Sequence, residues 1–294
     1  MKKNFVTILA LVLTLAMLMF SCKKEDVKKE TNTNNGNGNT EIPGGDDNPG
    51  GGDQDGSTPV ILPNAVTDID GNQYNAVIIG GQVWMKENLR TRHFADGGFI
   101  NEGSNSPMSD VTPLRYAPAQ SDPIYGYLYN WAAVMHGASS SNTKPSGVQG
   151  ICPDGWHVPS QAEWEQLVTY MEERPEYNCD VEAYTVGKAM AADYGWDVFE
   201  GYGDGDASGC EVGYNQSTNN YSGFSALPAG GYYYDMLHYT GNGAFFYTAT
   251  LCPGTMTSYG AFYYSLYSDM SGVGKNFGTI DCNDRAYAVR CVRD

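Results

Sequence analysis

The chain has 294 residues, 41% of them hydrophobic and 17% charged, with a formal net charge of -17. That length allows one large or two small domains, and the apolar share is enough for a core. The acidic balance, with no basic stripe to offset it, excludes nucleic-acid phosphates as a partner.

Lys2-Lys3 precedes an apolar run from Phe5 to Phe20 that ends at Ser21-Cys22. A charge, an apolar stretch and a small residue in that order form the layout of a secretory signal. The run is shorter than the ~20 residues a membrane span needs. The segment before Cys22 resembles a bacterial lipoprotein processing site, with Met19 where leucine is usual. The resemblance implies removal of residues 1–21 and a lipid on Cys22. It further implies an outer-membrane, surface-exposed protein attached to the membrane by that lipid. Lys23-Lys24-Glu25-Asp26 resembles the surface-export signal of lipoproteins in Bacteroidetes-type bacteria.

Residues 31–58 carry eight Gly, six Asn, four Asp and two Pro, and no aromatic residue. Such a stretch cannot bury enough apolar surface to offset chain entropy. Residues 22–58 are therefore expected to be a flexible stalk, and residues 59–294 a domain.

Asp70-Gly71 between β-prone runs predicts a hairpin, and Gly80-Gly81 a second turn into Gln82-Val83-Trp84-Met85. Asn88 to Asp122 reads as loops with short strands. Leu128, Trp131, Ala132 and Met135 have the spacing of one helix face, which predicts a helix over Tyr125–His136. Cys152 to Pro159 is a cysteine anchor and a tight apolar turn. Ser160-Gln161-Ala162-Glu163 follows as a capping box, and Trp164, Leu167, Val168 and Met171 make the stripe of a second helix ending before Pro175. Residues 176–220 read as a polar, Gly-rich insertion with a short helix near Thr185–Asp193. Between Tyr221 and Tyr267 stand fourteen aromatic residues, ten of them Tyr. Ala244–Leu251, Ala261–Tyr267 and Ala286–Arg293 alternate as strands do. Two helices early and antiparallel strands late predict an α+β domain with two main helices, behind a disordered stalk.

No GxSxG elbow, HExxH helix or phosphate-binding loop occurs. His93, His136, His157 and His238 are scattered, and His157 inside the tight turn reads as structural. No catalytic residue is assigned and no enzyme is expected. Asp204-Gly205-Asp206-Ala207-Ser208-Gly209 matches the first half of a calcium loop, but Asn215 stands where the bidentate Glu is needed. Calcium remains an option there, with no metal site and no other cofactor assigned. Setting Cys22 aside, six cysteines remain: Cys152, Cys179, Cys210, Cys252, Cys282 and Cys291. An even number in an exported chain predicts disulfides, and spacing alone cannot choose among the pairings.

Several segments occur in a telling order: Asp68-Ile69-Asp70-Gly71-Asn72, Gln82 to Leu89, Tyr125 to Trp131, Cys152 to Pro159, Gly223 to Gly230 and Val289-Arg290-Cys291-Val292. Together they resemble the Fibrobacter succinogenes major paralogous domain over about residues 65–294. The resemblance implies a C-type-lectin-like fold on an exported lipoprotein and no established catalytic set. It also implies a bond between a cysteine near a helix and one on the last strand, a role that Cys152–Cys291 fits. In the chain-entropy picture such a loop closure is worth about 4–5 kcal/mol. Cys252–Cys282 and Cys179–Cys210 would be the remaining pairs.

The tyrosines carry the functional expectation. On an alternating strand about half the side chains point outward. Exposed Tyr presents a flat apolar face with a polar tip, suited to sugars or protein partners. Tyr232, Tyr233, Tyr239, Tyr247, Tyr263 and Tyr267 are the candidate ligand-binding residues. The expected function is non-enzymatic recognition of a polysaccharide or an extracellular protein at the cell surface. Two alternatives stand: a structural or adhesive subunit of a surface assembly, and a formylglycine-generating-type oxidase with Cys282 and Cys291 as its reactive pair.

Overall fold

Two glycine turns start the fold. In the computed structural model, which describes residues 58–103, 111–118, 122–179, 185–201, 207–252, 260–277 and 285–294, they join three antiparallel strands. These are β1 (Val60–Thr67), β2 (Gln73–Ile79) and β3 (Gln82–Met85). Gly80 and Gly81 take φ of 59° and 79°, the left-handed pair a two-residue hairpin needs. Gly80 has a second reason to be glycine, since a Cβ there would stand 2.7 Å from the Tyr170 ring. β14 (Val292–Arg293) and β7 (Trp156–His157) complete this sheet in the order β1-β2-β3-β14-β7. The last strand is thus inserted beside the first hairpin.

A second sheet has six short strands: β4 (Asn101–Glu102), β5 (Leu114–Tyr116), β6 (Leu128–Asn130), β8 (Gly231–Tyr233), β9 (Met236–His238) and β13 (Arg285–Tyr287). Their order is β4-β5-β6-β13-β8-β9. β10 (Gly243–Cys252), β11 (Gly260–Tyr267) and β12 (Gly274–Phe277) make the third. All the described residues fall in one unit, Gly50–Asp294.

This architecture corrects the expected α+β class. Among the described residues there are fourteen strands in three sheets and three α-helices, α1 (Trp131–Met135), α2 (Gln161–Glu172) and α3 (Gly187–Met190). Only α2 is a main helix. The helix expected over Tyr125–His136 is mostly something else. Pro123–Tyr125 is a tight turn, and Leu128–Asn130 pairs with β5 and β13 instead of coiling. Asn130 then caps α1 by accepting from the Ala133 amide at 3.1 Å. His136 ends it after five residues in a left-handed conformation, φ 46°. The pattern over Ala286–Arg293 likewise divides into β13 and β14, which belong to different sheets.

α2 forms as its cap predicts. The Glu163 amide donates to Ser160 Oγ at 3.1 Å, and the Ser160 amide donates back to Glu163 Oε2 at 2.8 Å. Trp164, Leu167, Val168 and Met171 are all buried. They pack on one side of the β10–β11 sheet, where Ala244, Phe246, Tyr264 and Leu266 face Trp84, Trp164 and Phe224. Trp164 sits 4.9 Å from both Trp84 and Tyr264. The other side carries Phe245, Tyr247, Ala249 and Ala261 against Tyr129 and Tyr287. The sheet is therefore covered by core on both faces, which the alternation alone did not reveal.

The disulfides Cys152–Cys291 and Cys179–Cys210 are both present. The pairing Cys252–Cys282 lies outside the described residues at Cys282, as do Cys22 and residues 31–57 of the stalk.

Next to the first disulfide, Arg290 is fully buried. Its guanidinium donates to Asn88 Oδ1 at 2.8 Å, Met85 O at 3.2 Å, Ser225 O at 2.8 Å and to Phe224 O. It also lies 4.7 Å from the Phe224 ring centre and 5.5 Å from that of Phe246. Burial pushes its pKa down to about 9, opposed by Glu87 and Tyr194, so it stays charged at neutral pH. Arg290→Met removes the cation and strands four acceptors, three of them in buried bonds, at about 1–3 kcal/mol for each buried one left unsatisfied. Thermal melts of that variant should fall by about 6 °C or more, taking ~3 kcal/mol and ~2 °C per kcal/mol for a domain of this size. A Tm unchanged from wild type contradicts this role.

His157 is buried between two carboxylates, Glu163 Oε1 and Asp294 Oδ1, each 2.7 Å from a ring nitrogen. Burial favours the neutral ring, but the bonds to Glu163 and Asp294 outweigh it and raise the pKa above the ordinary 6.5. A base whose folded-state pKa is raised adds stability that is whole below its unfolded pKa and fades as pH climbs through the folded one. Stability of the wild-type protein should therefore decline as pH rises above 6.5. In His157→Gln that part of the decline should vanish, measured as Tm against pH.

Candidate functional site

β8 and β9 form a hairpin whose two turn residues, Tyr234 and Asp235, are both left-handed at φ 50° and 59°. This is the backbone of the tight turn that Asn-Gly usually fills. A tyrosine there carries strain and is held out at the tip, 71% exposed. Tyr239, just after β9, is also left-handed at φ 56° and is 48% exposed.

Behind the hairpin the rings form a continuous array. His238 stacks on Tyr233 with centroids 3.9 Å apart, and Tyr234 stands 5.6 Å from the same ring. Tyr239 meets Tyr267 edge-on at 5.6 Å, and both pack on Phe245, at 5.8 and 5.5 Å. Phe245 stacks on Tyr287 at 5.2 Å, and Tyr287 meets Tyr263 at 4.8 Å. The Arg285 guanidinium lies 5.6 Å from the Tyr233 centroid and donates to the Tyr287 hydroxyl at 3.2 Å. Phe245, Tyr247 and Tyr287 are at most 3% exposed and make a rigid floor. The half-buried Tyr233, Tyr263 and Tyr267 and the exposed Tyr234 and Tyr239 make the rim.

Burial pushes the Tyr267 phenol up to about 12, with Tyr263 and Tyr239 adding to the rise. Burial, with Tyr239, raises Tyr233 still further. Both hydroxyls stay protonated through neutral pH and can donate as well as accept. The face therefore offers ring planes for C–H contacts and neutral phenols for hydrogen bonds.

Of the six tyrosines singled out from the sequence, Tyr233, Tyr239, Tyr263 and Tyr267 come together here. Tyr232 does not. It points to the other side of its strand and stacks on Tyr116 at 4.1 Å. Tyr247 is the other correction. It shares a sheet face with its cross-strand partner Tyr263, but β13 covers it: its hydroxyl donates to Arg285 O at 3.2 Å, and its ring meets Tyr287 at 4.9 Å. Tyr234, His238, Phe245, Arg285 and Tyr287 were missed. The signal for Tyr234 was present, because Tyr234-Asp235 separates two short runs at hairpin spacing.

Of the calcium-loop residues, Asp204, Gly205 and Asp206 lie outside the described residues. Asn215 is left-handed and leads into a tight turn at Gln216–Thr218. Among the described residues no group of three or more His, Cys, Asp or Glu could hold a metal ion. Two of the four histidines pair with carboxylates at the surface, His93 with Asp70 at 2.6 Å and His136 with Asp96 at 3.0 Å.

No curated protein and no solved structure matches the chain. A family description does. The Fibrobacter succinogenes major domain matches residues 77–293, which hold the whole aromatic array and all but the first strands. The match covers well over half of the sequence, so the chain belongs to the Fibrobacter succinogenes major domain family.

Proposed function

We propose that the protein is a non-enzymatic recognition module, held at the cell surface by a lipid on Cys22, that binds a polysaccharide or an extracellular protein through its aromatic face. One observation carries this reading. An unbroken array of rings runs from the buried floor at Tyr287 to the exposed Tyr234 and Tyr239, and its tip stands on a strained turn. Tyrosine has few rotamers to freeze, so such a face binds with little loss of side-chain entropy. A buried floor of packed rings holds the rim in place before the ligand arrives.

The reading is tested by presenting the full chain to an array of polysaccharides and to immobilised extracellular proteins. Tyr267→Ala should weaken the binding seen by about tenfold or more, as removal of a central aromatic anchor does. Tyr234→Gly is the sharper variant. Glycine suits the left-handed backbone, so its Tm should hold or rise while binding falls. Undiminished binding by both variants places the ligand elsewhere. Cys22→Ala, in turn, should shift the protein from the membrane fraction to the soluble fraction of cells.

A further inference from the structure

Away from the aromatic face, a cleft of about 730 Å³ opens beside the first hairpin. Its walls include Asp70, Arg90, Arg92, Pro118, Pro123 and Tyr127. None of the tyrosines of the aromatic face lines it. The volume lies within the ~300–1,000 Å³ of ordinary small-ligand sites.

The carboxylates in this cleft are already engaged. Asp70 Oδ2 accepts from the Arg92 amide at 2.5 Å and the His93 amide at 3.2 Å, and Asp70 Oδ1 meets His93 Nδ1 at 2.6 Å. Burial works to raise the Asp70 pKa, but the Arg92 amide, His93 and Thr91 hold it below the usual value. Asp122 accepts from the Ile124 amide at 3.0 Å and caps a tight turn.

The guanidiniums bond only to neutral groups. Arg90 gives Nε to Asn72 Oδ1 at 3.3 Å and Nη2 to Gln73 O at 2.9 Å, and its plane sits 4.8 Å from the Tyr74 ring centre. It is therefore fixed in place by neutral groups. Arg92 gives only Nε, to the Tyr127 hydroxyl at 3.2 Å. Its two terminal nitrogens donate to nothing among the described residues. No carboxylate among the described residues comes within 4.0 Å of either guanidinium. Asp70 and Glu102 act on the Arg92 guanidinium only through space, and neither forms an ion pair with it, so its terminal nitrogens are open to an external carboxylate.

We propose that this cleft binds the carboxylate of a sugar acid, a hexuronate either free or within a chain. The guanidinium fork matches a planar carboxylate, which it can bind through two parallel hydrogen bonds. Pro118, Pro123 and Ala117 supply apolar edges for the C–H face of a sugar ring. The overall negative charge repels a densely charged polymer at long range, which favours an isolated carboxylate over a nucleic acid or a polyphosphate.

The test titrates the full chain with galacturonic acid and with a galacturonic acid trimer, using calorimetry or NMR. Glucose and maltotriose are the neutral controls. At least one uronate should bind saturably, the neutral sugars should not, and Arg92→Gln should weaken binding by at least about tenfold. Arg92 is a surface side chain, so the variant should fold, and its melting curve checks that. Equal binding of monomer and trimer identifies the free acid as the ligand; binding of the trimer alone identifies a chain. Tyr267→Ala should leave these affinities unchanged, so this site and the aromatic face stand or fall separately. No saturable uronate binding up to the millimolar range, equal binding by Arg92→Gln, or equal binding of the neutral sugars overturns the proposal. So does a glutamate-rich peptide that binds more tightly than either uronate.

Discussion

The buried Arg290 cation is the constraint on which the rest of the fold depends. Taking a guanidinium out of water costs several kcal/mol, and the cost is offset only if acceptors stand ready in the right places. Here they come from two separate parts of the chain: Met85 and Asn88, at the end of β3 and just beyond it, and the Phe224-Ser225 turn. Ser225 holds its carbonyl there from a left-handed conformation, φ 57°. Lys86 reaches the same turn, donating to Ser225 Oγ at 2.7 Å. The guanidinium has its full set of acceptors only when both of these segments meet the one that carries Arg290. Residues 290–292 therefore lock the beginning, middle and end of the domain together, with Cys291 bonded to Cys152 and Val292 paired to Trp84.

That lock sets where the aromatic face can be. The segment before Arg290 is β13, which brings Tyr287 and Arg285 between β6 and β8. Tyr287 then meets Phe245 and Tyr263 from the neighbouring sheet. One strand thus joins two sheets and supplies the floor on which the exposed tyrosines rest. A substitution at Arg290 should disturb this face even though no ligand would touch the arginine.

The sequence was legible where local chemistry decides structure. The Asp70-Gly71 and Gly80-Gly81 turns, the Ser160–Glu163 cap and the stripe of α2 all follow from neighbours within a few residues. It was illegible where distant pairing decides. Leu128, Trp131, Ala132 and Met135 satisfy a helical period, but ladder bonds to β5 and β13 claim Leu128–Asn130 for a sheet. Ala286–Arg293 alternates like one strand, yet the buried arginine in its middle separates two. Tyr247 and Tyr263 have the same pattern in sequence and share a sheet face. Only the position of β13, fixed by a segment far along the chain, buries one and leaves the other half open. For Arg90 and Arg92 the spacing says nothing. What marks them is that no carboxylate among the described residues comes within ion-pair distance of either guanidinium, which is a fact of three dimensions.

The turn at Tyr234 and Asp235 shows a choice that the fold alone does not require. Left-handed backbone costs an ordinary residue roughly 1–2 kcal/mol, and glycine or asparagine would avoid most of it. Eight non-glycine residues among those described adopt positive φ, and three of them, Tyr234, Asp235 and Tyr239, belong to this hairpin and its exit. Two of the three are tyrosines that remain largely exposed. A turn needed only to reverse the chain would not carry its strain on large apolar rings facing water. Strain of this kind persists when the surrounding structure holds it in place, and it gathers where a side chain must be presented. Here the stacked Tyr233–His238 pair and the Phe245 floor do the holding, and the rings at Tyr234 and Tyr239 are what the hairpin presents.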